Sequence, residues 1–372
     1  MRHRLSAHVT SVAAAVALAA SAVVLVAEPA RAQTAAPPAA DGWTPPRTLW
    51  GDPDLQGLWT NMREAQTPFE RPDGLAARGI TDPGNPEVLA EQQALIDDPA
   101  SRQAFEAQID AAGGAGTGAG PVHWYENLAP ERSRLWFVVD PPDGRVPPLT
   151  PEAERRAAAR AEARAGLGDD EPRPGRWVED LSPLVRCITR GLPAVYIPGA
   201  YNNNYQIVQS PGYVTILYEW MHETRIIPLD DRPHLPAHVR QWIGDPRGRW
   251  EGDTLVVETT NFTNKTEYLA GFSSREVLEL AGADGEPPYG ADENLRLIER
   301  FTPVGPNTID WSVTVENPAN WERPWTFAMP LTRDDAQPWV FEYACHEGNY
   351  GIANILSGAR ARERAAQEAG GR

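Results

Sequence analysis

Two stretches of this chain place the same side-chain types in the same order, an aromatic, a glutamate, a second aromatic and then His-Glu. They are Tyr218-Glu219-Trp220-Met221-His222-Glu223 and Phe341-Glu342-Tyr343-Ala344-Cys345-His346-Glu347. Imidazole titrates near neutrality, and a carboxylate beside it can take or return the same proton, so such a grouping suits proton transfer to and from a small molecule. His222, His346, Glu219 and Tyr218 are therefore candidate catalytic groups. Arg225 sits in the otherwise apolar run Thr224-Arg225-Ile226-Ile227, where a two-residue period puts it on the face of Ile227. Turned inward, it would hold a phenolate or another anion. Lys265 is the single lysine among 34 basic residues. The richness in Ala, Arg and Pro fits a genome that drifts lysine to arginine, so a retained lysine joins the set as a stabiliser of developing negative charge.

Around these groups lie residues suited to holding a substrate. Tyr201-Asn202-Asn203-Asn204-Tyr205 is a dense polar and aromatic cluster, and Asn261, Asn264 and Lys265 follow an apolar run. Asn203, Tyr205, Trp220, Asn261, Tyr343 and Tyr350 are the candidate binding residues, although loop asparagines also serve simply to end backbone hydrogen bonding. Asn261 and Asn264 open Asn-x-Thr sequons, which matter only in a eukaryotic secretory route. No metal ligands are assigned, because the sequence has no His-x-His or Cys-x-x-Cys spacing. Nor does it contain G-x-S-x-G, a dinucleotide fingerprint or a phosphate loop, so no cofactor is expected.

The N-terminus carries Arg2 and Arg4, an uncharged run from Val12 to Ala27, and Ala30-Arg31-Ala32, the pattern of a cleavable secretory signal over residues 1–32. The expected location is periplasmic or secreted. No later stretch approaches the roughly 20 apolar residues of a spanning helix. A formal charge of -17 argues against nucleic acid and anionic membrane as partners and leaves a small apolar or aromatic molecule as the expected one; oligomeric state is left open. Cys187 and Cys345 are the only cysteines, and an oxidising compartment makes a disulfide between them the default, with two buried free thiols as the alternative.

Residues 33–53 are an Ala/Pro-rich lead-in, and 54–67 hold a first strand at Asp54–Thr60. Residues 68–175 form a helical, proline-rich insertion or cap, with helices expected over Pro86–Ala112 and Pro151–Ala165. Residues 176–348 are the β-barrel domain, where from about Leu192 a period of two takes over, with strands at Tyr205–Gln209, Tyr213–Trp220, Thr224–Leu229, Thr254–Thr259, Leu295–Thr302, Thr308–Val315, Trp325–Leu331 and Trp339–Ala344. Gly248 to Asp253 reads as a turn, and 349–372 as a C-terminal helix and tail. The fold class is mainly β, an antiparallel lipocalin-like barrel of about eight strands able to enclose one small ligand; a β-sandwich is the competing arrangement.

At Gly248-Arg249-Trp250-Glu251-Gly252-Asp253-Thr254-Leu255-Val256-Val257, at Arg300-Phe301-Thr302 and at Tyr343-Ala344-Cys345-His346-Glu347-Gly348-Asn349-Tyr350, the chain resembles a large family of exported bacterial proteins. It is also similar, more loosely, to cofactor-independent lyases that open lignin-derived aromatic dimers with loss of formaldehyde. That resemblance implies a lyase cleaving a C–C or C–O bond in a small aromatic substrate. A non-catalytic carrier of hydrophobic molecules and a metal-dependent hydrolase are the alternatives.

Overall fold

Alternation along the chain becomes a sheet with one dry face. In a computed structural model that describes residues 42–115, 130–167, 171–199, 201–265, 292–333 and 340–370, ten strands form one antiparallel sheet. They are β1 (Gly57–Thr60), β2 (Val138–Asp140), β3 (Asn204–Ser210), β4 (Tyr213–Tyr218), β5 (Thr224–Pro228), β6 (Asp245–Glu251), β7 (Thr254–Thr260), β8 (Arg296–Gly305), β9 (Thr308–Glu316) and β10 (Trp325–Thr332). The order is β5-β4-β3-β1-β10-β9-β8-β7-β6, and β2 takes up the part of β10 that β1 leaves open. The fold is thus mostly β. Its ladders do not close into a barrel, because no hydrogen-bonded pairing joins β5 to β6 among the described residues.

The buried face is what the two-residue period specifies. On β9 Ile309, Trp311, Val313 and Val315 point into the core, and on β3 Tyr205 and Ile207 do so while Gln206 and Val208 face outward. Pro211-Gly212 joins β3 to β4 with Ser210 opposite Tyr213; proline fixes one backbone angle and Gly212 takes φ +80, which a side chain would resist. Phe69 packs its ring on Phe137, Trp325 and Phe327, tying the chain before the helices to β2 and β10.

Helices lie outside this sheet. They are α1 (Asp73–Ala77), α2 (Pro86–Asp97), α3 (Pro99–Ala115), α4 (Pro151–Ala163) and α5 (Gly351–Gly370). The single helix expected over Pro86–Ala112 is two. Asp98 is extended and its carboxylate caps the next helix at the Ser101 amide, while Pro99 cannot donate back to the preceding turn. Two further expectations are corrected. Gly248 to Glu251 is not a turn but the second half of β6, with the reversal confined to Gly252-Asp253. The described part of Trp339–Ala344, from 340, forms no strand; Trp339 lies outside the described residues, as do the signal segment 1–32 and residues 33–41 of the lead-in. The described residues fall in one compact unit, and among them no helix is long and apolar enough to cross a membrane.

Candidate functional site

The end of β4 and the chain that follows it build the site. After Tyr218 and Glu219 the backbone makes a short 3-10 turn, Trp220–His222, in which Met221 has φ 56 and His222 φ 50. Two successive non-glycine residues in the left-handed region cost energy that a loop without a task would avoid, and such strain collects where side chains must be presented. The turn sets His222 on the exposed side while Trp220 stays buried.

Against this turn lies the second aromatic-Glu-His segment, as a strap over residues 340–346. The Phe341 amide donates to Glu219 Oε1 at 3.1 Å, and the Tyr343 amide donates to His222 Nε2 at 2.6 Å. Glu219 is itself buried, and its other oxygen accepts from Asn204 Nδ2 at 2.7 Å. A disulfide between Cys187 and Cys345 anchors the far end of the strap, with Cα atoms 5.7 Å apart. Because a backbone N–H can only donate, Nε2 of His222 must carry the lone pair, and the neutral ring holds its proton on Nδ1.

The strap and the outward face of the sheet enclose a pocket of about 380 Å³ lined by Leu58, Gln206, Leu217, His222, Val340, Phe341 and Glu342. Leu58, Gln206 and Leu217 stand side by side across β1, β3 and β4. They occupy the alternate positions to Trp59, Tyr205 and Tyr218, so the pocket lies on the opposite side of the sheet from the core. Behind the turn, Trp220 carries Tyr201 stacked at 5.4 Å, Tyr343 at 5.1 Å and the Arg190 guanidinium at 4.7 Å from its ring centre. Burial pushes the Tyr343 phenol up to about 12. Glu223 accepts from the Thr189 hydroxyl at 2.7 Å, and burial raises its carboxyl to about 7 against that hydrogen bond.

The other sequence candidates divide by face. Tyr218 and Arg225 belong to the core, where Arg225 reaches Glu299 through Nη1 at 3.0 Å and Nη2 at 2.5 Å, with both side chains fully buried. Arg225 also donates to Tyr218 Oη and to Thr259 Oγ1, and Tyr218 donates to Tyr196 Oη at 2.9 Å. Burial raises the Tyr218 phenol to about 12, so it stays protonated. Tyr205 donates to the Val195 carbonyl, and Asn203 exchanges both amide bonds with Gly199, so each holds the loop before β3. Asn261 donates to the carbonyls of Leu235, Pro236 and Val239 from a left-handed backbone at φ 60. Lys265, His346 and Tyr350 are exposed, Tyr350 by 76 %. The structure thus brings together His222, Glu219, Trp220 and Tyr343. It adds Gln206, Leu58, Leu217, Phe341, Glu342, Glu223 and Arg190, of which the apolar Leu58 and Leu217 at outward strand positions were the legible signal.

No family model, no curated protein and no solved structure matches this chain.

Proposed function

We propose that this chain is an exported, cofactor-independent lyase acting on a small aromatic molecule held between the strap and the outward face of β1, β3 and β4. The observation that carries the reading is His222, set in a strained turn at a mostly apolar pocket and fixed by the Tyr343 amide as a neutral ring with its proton on Nδ1. A neutral imidazole in that form donates, so it serves a developing oxyanion better than it serves as a base. The base is then Glu342, which lines the same pocket.

For a lignin-type substrate with a hydroxymethyl group, the hydroxyl proton passes to the Glu342 carboxylate as the C–C bond to the hydroxymethyl carbon breaks. Formaldehyde leaves, and the electron pair remains on the substrate, spread into its ring and stabilised by the His222 Nδ1–H. Return of the proton from Glu342 to the substrate carbon that bore the hydroxymethyl group completes the step. Arg225, bound to Glu299 in the core, takes no part.

The disulfide supports an oxidising compartment, as an exported protein would meet. The strand order supports a lipocalin-like barrel whose last seam, between β5 and β6, is packed rather than hydrogen-bonded: a Cβ at Gly248 would lie 2.6 Å from Leu229 and 2.7 Å from Ile227. Incubating the protein with hydroxymethyl-bearing aryl dimers, and following formaldehyde with the mass of the product, tests the reaction. Glu342→Gln and His222→Ala should each lower turnover by about 10²-fold or more. Saturable binding without product in the native protein would make it a carrier, and undiminished turnover in both variants would remove these residues from the chemistry.

A further inference from the structure

We infer that the chain holds a second binding site, for a small aromatic carboxylate, where α1, α2 and α3 meet the segments around Gln66 and Arg132. It is independent of the His222 pocket. The cavity there is about 480 Å³, within the range of small-molecule sites. Leu75, Leu89, Phe105 and Leu135 give it apolar walls, and Gln66, Arg78, Arg132 and Arg134 bring polar groups to it.

Its cations are not all directly paired. Arg78 is held by Glu91 through two bonds of 3.1 and 2.7 Å, and Arg134 by Asp310 at 2.8 Å. Arg132 has no such partner among the described residues: its hydrogen bond runs from Nη2 to Gln66 Oε1 at 3.5 Å, and its Nε is buried with none. Glu64, the nearby carboxylate, is occupied elsewhere. Its Oε1 accepts from the Ser133 amide at 3.0 Å and hydroxyl at 2.6 Å, and its Oε2 from Thr67 at 3.3 Å. Gln66 itself has φ 63, a backbone that glutamine adopts only where its surroundings impose it.

A largely buried guanidinium with no carboxylate in hydrogen-bond contact is unfavourable, and a carboxylate fits its planar fork with two parallel bonds. Burial lowers Arg132 to about 10 while Glu64 acts the other way, so the group is still a cation at neutral pH. The apolar walls select a ligand with an aromatic or similarly compact apolar body behind the carboxylate. In a chain of net charge -17, an anion must be held by a local cation rather than by the general field.

Calorimetric titration of the full chain with benzoate and with the neutral isostere benzamide, at pH 7 and low salt, tests the site. Benzoate should bind saturably and at least about tenfold more tightly than benzamide, the difference that a charge-assisted pair gives. Arg132→Gln should bring benzoate down to the level of benzamide. Arg249→Gln, which removes an exposed positive charge paired with Glu251 on β6, should leave benzoate binding unchanged. Equal affinity for the two probes, no binding of either to the native chain, or full benzoate affinity in Arg132→Gln would overturn the proposal. Should Arg132→Gln fail to fold by circular dichroism, the comparison of the two probes on the native chain still decides.

Discussion

His222 has one ring nitrogen without a backbone donor, and the Tyr343 amide decides which. The carboxyl beside it in sequence, Glu223, is turned away to Thr189, where burial keeps it near neutrality. That shift has a measurable consequence. With the folded value raised from 4.5 to about 7, the native state keeps a proton that the unfolded chain has already released. The contribution to stability is therefore complete below the unfolded value and is lost as pH rises through 7. Each unit is about 1.4 kcal/mol, and partial exposure of the side chain brings the total to about 1–2 kcal/mol. The stability of the native chain minus that of Glu223→Gln, from urea unfolding, should fall by that amount between about pH 5 and pH 8. A difference that stays flat or rises over this interval would place the proton elsewhere. Burial also raises Glu64 and Asp310, but both are common to the two proteins and cancel.

At the scale of elements, alternation reported which strands have a dry face and nothing about their partners. It was sufficient for β3, β4, β5, β7, β8, β9 and β10, where a buried face makes the two-residue period a requirement. It misled at 340–344, where aromatics alternate but the backbone is held by Glu219, His222 and Cys187 instead of by a ladder. The glycines of Gly248-Arg249-Trp250-Glu251-Gly252 misled in the other direction. Gly252 turns with φ 61, whereas Gly248 sits inside β6 because the seam with β5 has no room for a side chain. Likewise His222 and Glu219 stood out in the sequence, but the pocket did not, since its floor is made from residues of three strands brought together by register. The strap itself should depend on the disulfide. Closing a loop of 158 residues is worth about 2–5 kcal/mol on the chain-entropy model. Cys345→Ser should lose that much in denaturant unfolding, and limited proteolysis should cut first within 340–350, with the sheet still resistant. Cleavage of the sheet at the same rate as the strap would show that the two are one cooperative unit.

For the whole molecule, the question is what holds the two ends of an open sheet together. β5 and β6 share no ladder, yet Arg225 on β5 reaches across the core to Glu299 on β8 and Thr259 on β7, joining strands from opposite ends of the sheet order. Arg225 was visible in the sequence as a cation in an apolar run. Its partner was not, because Glu299 is one more alternate residue between Leu297 and Phe301 and only the tertiary fold brings it near. Tyr196, Tyr218 and Trp311 pack around the pair, and Glu299 keeps Arg225 charged against the effect of burial. A pair this dry gives little net stability compared with apolar residues of the same volume, but removing one member strands a charge. Arg225→Met should therefore cost about 3–5 kcal/mol, and Glu299→Leu a similar amount. The double variant should cost far less than the sum, within about 2 kcal/mol of the native chain, the remainder reflecting the hydrogen bonds lost by Tyr218 and Thr259. Urea unfolding of the four proteins measures the coupling. If the two costs simply add, the pair is no more than two packed side chains, and the seam must be held by the contacts around Gly248, Ile227 and Leu229 alone.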